Sequence, residues 1–158
     1  MRCAVALLCS CLAAAAVAAS AQPARDGAFT LRGKVSYVFD GDTISVRLDS
    51  GRRERVRLIG IDTPERGACL AGKARTLARG LATGERVLLL GDPNQDTRDR
   101  YGRLLAYAWV HGRDLGFQLV SAGVARVYVY DDQFRRLSAY RRAERVGRTR
   151  PQNVWRGC

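Results

Sequence analysis

Residues 29–61 hold three short runs of strict alternation, and nothing else in the chain constrains its folding as tightly. Phe29, Leu31, Gly33, Val35, Tyr37 and Phe39 alternate with Thr30, Arg32, Lys34 and Ser36. After Asp40-Gly41-Asp42 the pattern resumes through Ile44, Val46 and Leu48, and after Asp49-Ser50-Gly51 it returns from Glu54 to Ile61. Period two is the signature of a strand with one buried face. Turns this short leave an antiparallel meander as the only economical connection.

Asp62-Thr63-Pro64 ends the meander. Ala74, Leu77, Ala78 and Leu81 then recur at helical spacing within Ala71 to Ala82, which predicts a helix with a basic outer face, closed by Thr83-Gly84. Arg86 to Leu90 and Leu104 to Val110 read as two more strands, separated by the polar loop Gly91 to Asp99. Leu115 to Ala122, capped by Gly123, and Phe134 to Val146, broken by Gly147 to Pro151, read as two further helices. The expected fold is α+β: a five-stranded β-barrel of the OB (oligonucleotide-binding) type with three α-helices. The 158 residues suit one such unit.

Ahead of it lies a different kind of segment. Arg2 precedes a run that is apolar from residue 3 to 19 except for Ser10, and Ala19-Ser20-Ala21 offers small residues for cleavage. Residues 1–21 read as a signal peptide, 22–28 as a flexible lead-in and 29–158 as the folded domain. The alternative, a membrane anchor, needs about 20 strongly apolar residues, and this run is mostly alanine. Leu8-Cys9-Ser10-Cys11 loosely resembles a lipoprotein processing site, so attachment through Cys11 is a lesser alternative to a secreted or periplasmic destination. Cleavage removes three of the five cysteines and leaves Cys69 and Cys158, either as one bridge or as two free thiols.

Charge narrows the function. Lys+Arg 27 against Asp+Glu 15 gives a net charge of +12, and Lys34 and Lys73 are the only lysines. Such a chain is drawn to polyanions. A broadly amphipathic membrane-active helix is not among its segments, because Phe134–Val146 carries arginine on all sides. His111 is the single histidine, which excludes two-histidine mechanisms and histidine-rich metal sites.

Acids clustered in so basic a chain need a reason. Asp40, Asp42, Asp62 and Glu65 fall at the ends of the first and third strands. Carboxylates without histidine or thiolate suit a hard, oxygen-preferring cation, calcium or magnesium. Taken singly, Asp40-Gly41 reads equally as hairpin chemistry and Asp62 as a turn cap. Arg57 and Arg103 supply what phosphoryl transfer requires, planar forks to place on developing phosphate charge.

Three segments carry a resemblance. Lys34-Val35 through Asp42-Thr43, Arg57-Leu58-Ile59-Gly60-Ile61-Asp62-Thr63-Pro64-Glu65, and Asp99-Arg100-Tyr101-Gly102-Arg103-Leu104-Leu105-Ala106-Tyr107 closely resemble the staphylococcal (thermonuclease) nuclease family. Leu119-Val120, Gly123-Val124-Ala125, Tyr128-Val129-Tyr130 and Asn153-Val154-Trp155 follow the same template in order, so the resemblance spans about residues 30–156. It implies an enzyme: a calcium-dependent phosphodiesterase, acting as endonuclease or exonuclease on DNA and RNA with little sequence specificity and leaving 3′-phosphorylated ends. One Ca2+ would be held by the carboxylates of Asp42 and Asp62 and the backbone carbonyl of Thr63, with Asp40 supporting its water shell. Glu65 would hold or deprotonate the attacking water, and Arg57 and Arg103 would grip the scissile phosphate. Arg100, Tyr101, Tyr128 and Tyr130 would border the nucleotide.

The chain is expected to be a monomer, and Cys69 with Cys158 resembles a cysteine pair of exported members. Two departures stand out: Arg66 to Gly72 is shorter than the lysine-rich loop of the staphylococcal enzyme, and Arg148-Thr149-Arg150-Pro151 is unusual for the family. The competing reading is a non-catalytic OB-fold nucleic-acid-binding module. A pure binder has no need for acids aimed at a phosphate it must attract, and all five of Asp42, Arg57, Asp62, Glu65 and Arg103 are present.

Overall fold

The computed structural model describes residues 27–157. The signal segment, Cys3, Cys9, Cys11, most of the lead-in and Cys158 lie outside the described residues, and with them the proposed partner of Cys69.

The meander is present as β1 (Thr30–Val38), β2 (Thr43–Leu48) and β3 (Arg53–Leu58), paired antiparallel in order. After β4 (Ile61–Asp62) comes α1 (Ala71–Ala82), then β5 (Arg86–Leu90), β6 (Leu104–Val110), β7 (Arg113–Asp114), α2 (Leu115–Ser121), β8 (Arg126–Val127) and α3 (Leu137–Arg148). β5 pairs with β1 and β6 with β5, both antiparallel. β3 then pairs parallel with β6, Val56 opposite Leu104 and Leu58 opposite Ala106, which closes a five-stranded barrel. Closure leaves these five strands without a free edge between β3 and β6. The expected barrel with three helices is the observed one.

The core follows from the alternation. Val35, Ile44, Val46, Val56, Leu58, Leu89 and Ala106 are buried together with Ala74 and Ala78 of α1 and Leu119 of α2. Each buried Val, Leu or Ile contributes about 1.5–3 kcal/mol relative to exposure.

Three elements depart from expectation, each for a local reason. The alternation assigned to 29–40 slips in β1, where a bulge lies between Val35 and Tyr37. The extra residue turns Tyr37 outward, 48% exposed, and Val38 inward in its place. The third strand, expected to run unbroken from Glu54 to Ile61, breaks at Ile59-Gly60, and Ile61–Asp62 pairs with β8 instead. Gly60 has a φ of +78°, and a Cβ there would lie 2.4 Å from the Phe134 ring, so only glycine makes this corner.

The last helix starts at Leu137 rather than Phe134 and runs through Gly147 rather than stopping before it. Phe134 is buried under Gly60, and the Arg135 amide donates to Asp92 Oδ2 at 2.7 Å, which holds the preceding segment as a loop. A Cβ on Gly147 would lie 2.2 Å from the Val120 carbonyl oxygen. This glycine is therefore a packing notch that lets α3 close on α2, not a helix breaker.

Candidate active site

Two corners of the barrel bring the acids together. In the β1–β2 turn, Asp40 Oδ1 accepts the Asp42 amide at 3.1 Å, an Asx turn that points the Asp42 carboxylate inward. The turn fits because Gly41 lacks a side chain: a Cβ there would lie 2.6 Å from Thr63 Cγ2 and 2.9 Å from Ala74 Cβ. Asp42 is buried, and its Oδ2 accepts both the amide and the hydroxyl of Thr63 at 2.9 Å. Its Oδ1 accepts the Thr43 hydroxyl at 3.0 Å and lies 3.3 Å from Arg57 Nε.

Arg57 leaves β3 at the Gly60 corner and is braced there. Its Nη1 donates to the Leu58 and Ile61 carbonyls at 2.8 and 2.7 Å, and its Nη2 lies 3.2 Å from Asp62 Oδ1. One guanidinium thus spans two carboxylates that strand order alone would leave apart. β4–β8 pairing sets Asp62 opposite Arg126 and carries Tyr128 alongside, its amide donating to the Gly60 carbonyl at 3.0 Å.

The electrostatics are those of crowded acids. Loss of hydration pushes the Asp62 carboxyl above the usual carboxylate range; the charge of Asp42 adds to this, Arg57 opposes it, and Glu65 raises it further. Loss of hydration likewise raises Asp40, followed by the neighbouring charge of Asp42.

Parallel pairing of β3 with β6 places Arg57 opposite Leu105 and so brings Arg103 to the same side of the barrel. Asp99 fixes Arg103 through Oδ2 to Nε at 2.6 Å and Oδ1 to its amide at 2.9 Å, while also accepting the Tyr101 amide at 3.0 Å. Arg103 Nη1 reaches to within 3.5 Å of the Thr43 hydroxyl, which itself donates to Asp42. Tyr101, 68% exposed, packs its ring under the guanidiniums of Arg100 at 4.9 Å and Arg103 at 5.3 Å. Tyr128 and Tyr130 stand with ring centroids 6.4 Å apart.

A cleft of about 580 Å³ opens between these groups. Of the residues singled out from sequence, Arg57, Asp62, Arg100, Tyr101, Arg103, Tyr128 and Tyr130 line it. Asp42 and Thr63 stand behind Arg57, bonded to one another. Glu65 and Asp40 are outside the lining, Glu65 on the exposed turn after β4. Cys69 belongs to that same exposed segment and not to the cleft. His111 meets Glu85 at 2.9 Å in the β6–β7 turn, away from these residues.

Thr43 and Asp99 were not anticipated, although both lie in segments the sequence had already marked. The signal for Asp99 was its place four residues before Arg103, in a turn built on Tyr101-Gly102. Gln95, Asp96, Arg98 and Asp131 also line the cleft.

Among the described residues, no three or more His, Cys, Asp or Glu side chains gather closely enough to hold a metal ion. The expected ligand set, two carboxylates and one carbonyl, is smaller than that. Its donors are oxygen throughout, and the loss of hydration and the Asp42 charge that together raise Asp62 are what a hard cation offsets. The residues present fit such an ion.

A family model described as staphylococcal nuclease homologue matches residues 55–157. The chain is 36% identical over 129 residues to a thermonuclease of Staphylococcus intermedius, covering 77% of this chain and 74% of that protein. It is 36% identical over 131 residues to protein ParB of Escherichia coli, covering 74% and 71%. To endonuclease YncB of Bacillus subtilis (strain 168) it is 33% identical over 122 residues, covering 73% and 57%. With this match over residues 55–157, the closed barrel and the three helices, the chain belongs to the staphylococcal nuclease family.

Proposed function

We propose that this protein is a calcium-dependent nuclease that hydrolyses phosphodiester bonds of DNA and RNA with little sequence preference and leaves 3′-phosphorylated ends. The observation that carries the reading is that Arg57 and Arg103 line one cleft, with Asp62 beside them under the charges of Asp42 and Glu65. A cleft built only to bind a polyanion gains nothing from acids at its base. The nuclease names of the relatives support the same class of chemistry.

In this reading Asp42, Asp62 and the Thr63 carbonyl would hold the ion, with Asp40 steadying its surroundings. Calcium supplies positive charge that offsets the phosphate's own and orients it for in-line attack. Arg57 and Arg103 bind the non-bridging oxygens and stabilise the charge that develops on them. Glu65 takes the proton of the attacking water. Water adds to phosphorus as the P–O5′ bond breaks, so the phosphate stays on the 3′ side and the departing 5′-oxygen, beside Arg103, takes up a proton from solvent to become the 5′-hydroxyl. Arg100, Tyr101, Tyr128 and Tyr130 border the nucleotide through contacts that any base satisfies.

Export completes the proposal. The apolar segment before Gln22 would direct the chain to a secreted or periplasmic location as a monomer, with lipid attachment through Cys11 as the lesser route. There Cys69 and Cys158 would form a bridge; Cys69 does not carry a free thiol. Among the described residues no helix is long and apolar enough to cross a membrane.

The test is digestion of single- and double-stranded DNA and RNA with calcium, magnesium or excess chelator, followed by end-group analysis. Cleavage of all four substrates with calcium, abolished by chelator and yielding 3′-phosphates, is expected. Cleavage that persists in chelator, or 5′-phosphate products, contradicts the proposal.

A further inference from the structure

Beyond Thr43 and Arg57, the outer face of the β1–β2–β3 meander takes no part in the site above, yet it carries an ordered set of cations that ends at that site. Strand register lines them up in rows. Lys34 lies opposite Arg47 and Arg47 opposite Arg53; Tyr37 lies opposite Ser45 and Ser45 opposite Arg55; Thr43 lies opposite Arg57. Opposed residues share a face, and same-face residues on one strand recur every two positions. Arg53, Arg55 and Arg57 therefore form one line along β3, successive members about 6.6 Å apart. Glu54, Val56 and Leu58 face the other way, into the barrel.

Like charges directly opposed across strands destabilise a sheet, and here Lys34, Arg47 and Arg53 occupy one row. All three are exposed, as is Arg55, and among the described residues none of the four has an ion-pair partner. Arg52 and Arg98, by contrast, are paired with Glu54. The Arg55 guanidinium lies 4.2 Å over the Phe39 ring, and Phe39 meets Tyr37 edge-on at 5.0 Å. The bulge in β1 is what turns Tyr37 to this face. Cations without ion-pair partners at regular intervals beside an exposed aromatic ring, here Tyr37, are the means by which a single nucleic-acid strand is tracked without reading its sequence.

We propose that this face is an extended substrate path, in which Arg55, Arg53 and the Lys34–Arg47 pair bind successive phosphates of a strand entering the cleft and Tyr37 stacks a base. The proposal rests on the nuclease reading above and adds that long strands are bound by more than the groups at the scissile phosphate. The double variant Arg53→Gln/Arg55→Gln tests it against wild type on two substrates, single-stranded DNA of about twenty nucleotides and a dinucleotide too short to reach the path.

The expected result is a KM for the long strand raised about tenfold with kcat unchanged, and the dependence of log KM on log salt reduced by about 1.4, roughly 0.7 per lost phosphate contact. On the dinucleotide, kcat/KM stays the same. Arg55→Lys keeps most of the long-strand affinity, because the charge remains. Equal losses on both substrates, or no loss on the long strand, overturn the path. If wild type cleaves neither substrate, the nuclease reading itself fails. Fluorescence anisotropy with the same long strand then still decides the path, since equal affinity of variant and wild type refutes it.

Discussion

Asp99 holds Arg103 at two points, Oδ2 to Nε at 2.6 Å and Oδ1 to the backbone amide at 2.9 Å. The side-chain contact occupies one edge of the guanidinium and leaves Nη1 directed toward Thr43 and the cleft. The Asp99 carboxyl is held below its usual range by these bonds, although its partial burial works against them. Asp99 thus positions Arg103, the arginine proposed above to grip phosphate.

Asp99→Asn separates its two duties. Asparagine keeps an acceptor for the backbone amides of the turn but loses the charged bond to Nε. The expected outcome is a kcat lowered about tenfold with the melting temperature nearly unchanged, because only the orientation of Arg103 is relaxed. A large loss of stability with normal kcat per folded molecule would mean that Asp99 serves the fold alone.

Glu65→Gln removes the proposed proton acceptor while preserving size and polarity. Turnover should fall about 10²–10⁴-fold, the range of a positioned general base, and affinity for uncleaved single-stranded DNA should hold. Equal turnover in variant and wild type would take Glu65 out of the mechanism. Steady-state rates beside anisotropy titrations give both quantities.

Gly60→Ala strains the corner that carries Arg57 and Asp62. Its φ of +78° disfavours any side chain, and the Phe134 ring already occupies the space a Cβ needs. Destabilisation of about 2 kcal/mol or more is expected from strain and overpacking together, read as a lowered urea midpoint. Activity at full folding should fall as well, because Arg57 is braced by the Leu58 and Ile61 carbonyls on either side of that glycine.

The Glu54 carboxylate closes one end of β3 against Arg98 and Arg52, with Arg98 first in lowering its pKa below the usual range. A depressed folded pKa gives stability that is present above the unfolded value, about 4.3, and lost as pH falls through the folded one. Glu54→Gln should therefore cost stability at pH 7, about 1 kcal/mol given the exposure of its arginine partners. The gap from wild type should shrink below about pH 4 as the native carboxylate protonates. Thermal melts across pH 3–7 measure it; a gap independent of pH would exclude the ion pair as its source.

The barrel was legible because burial on one face writes period two into Thr43–Leu48 and period 3.6 into Ala71–Ala82, while Arg86–Leu90 is a short apolar run; the bounds of all three match the structure residue for residue. The parallel β3–β6 pairing that closes it left no mark, since pairing partners distant in sequence are chosen by the whole core rather than by either strand. The bulge at Ser36 was hidden for a related reason: Tyr37 and Val38 are both apolar, and only the register with β2 decides which one faces in. At the site, Asp62 stood out as an acid at a strand end in a strongly basic chain, and Arg57 as a phosphate-binding fork five residues before it. Thr43 did not, because its hydroxyl matters only once Arg103 has been folded to within 3.5 Å of it.

Whether Arg57 and Arg103 act on one phosphate is measured directly by a double-mutant cycle. Arg57→Lys, Arg103→Lys and the double variant are compared by kcat/KM on single-stranded DNA with saturating calcium. Each single change should cost about 10²–10³-fold, because an ammonium cannot make the forked contact. The double variant should lose far less than the product of the two, as groups that act together do. Losses that simply multiply, or full activity in either single variant, would contradict a shared phosphate.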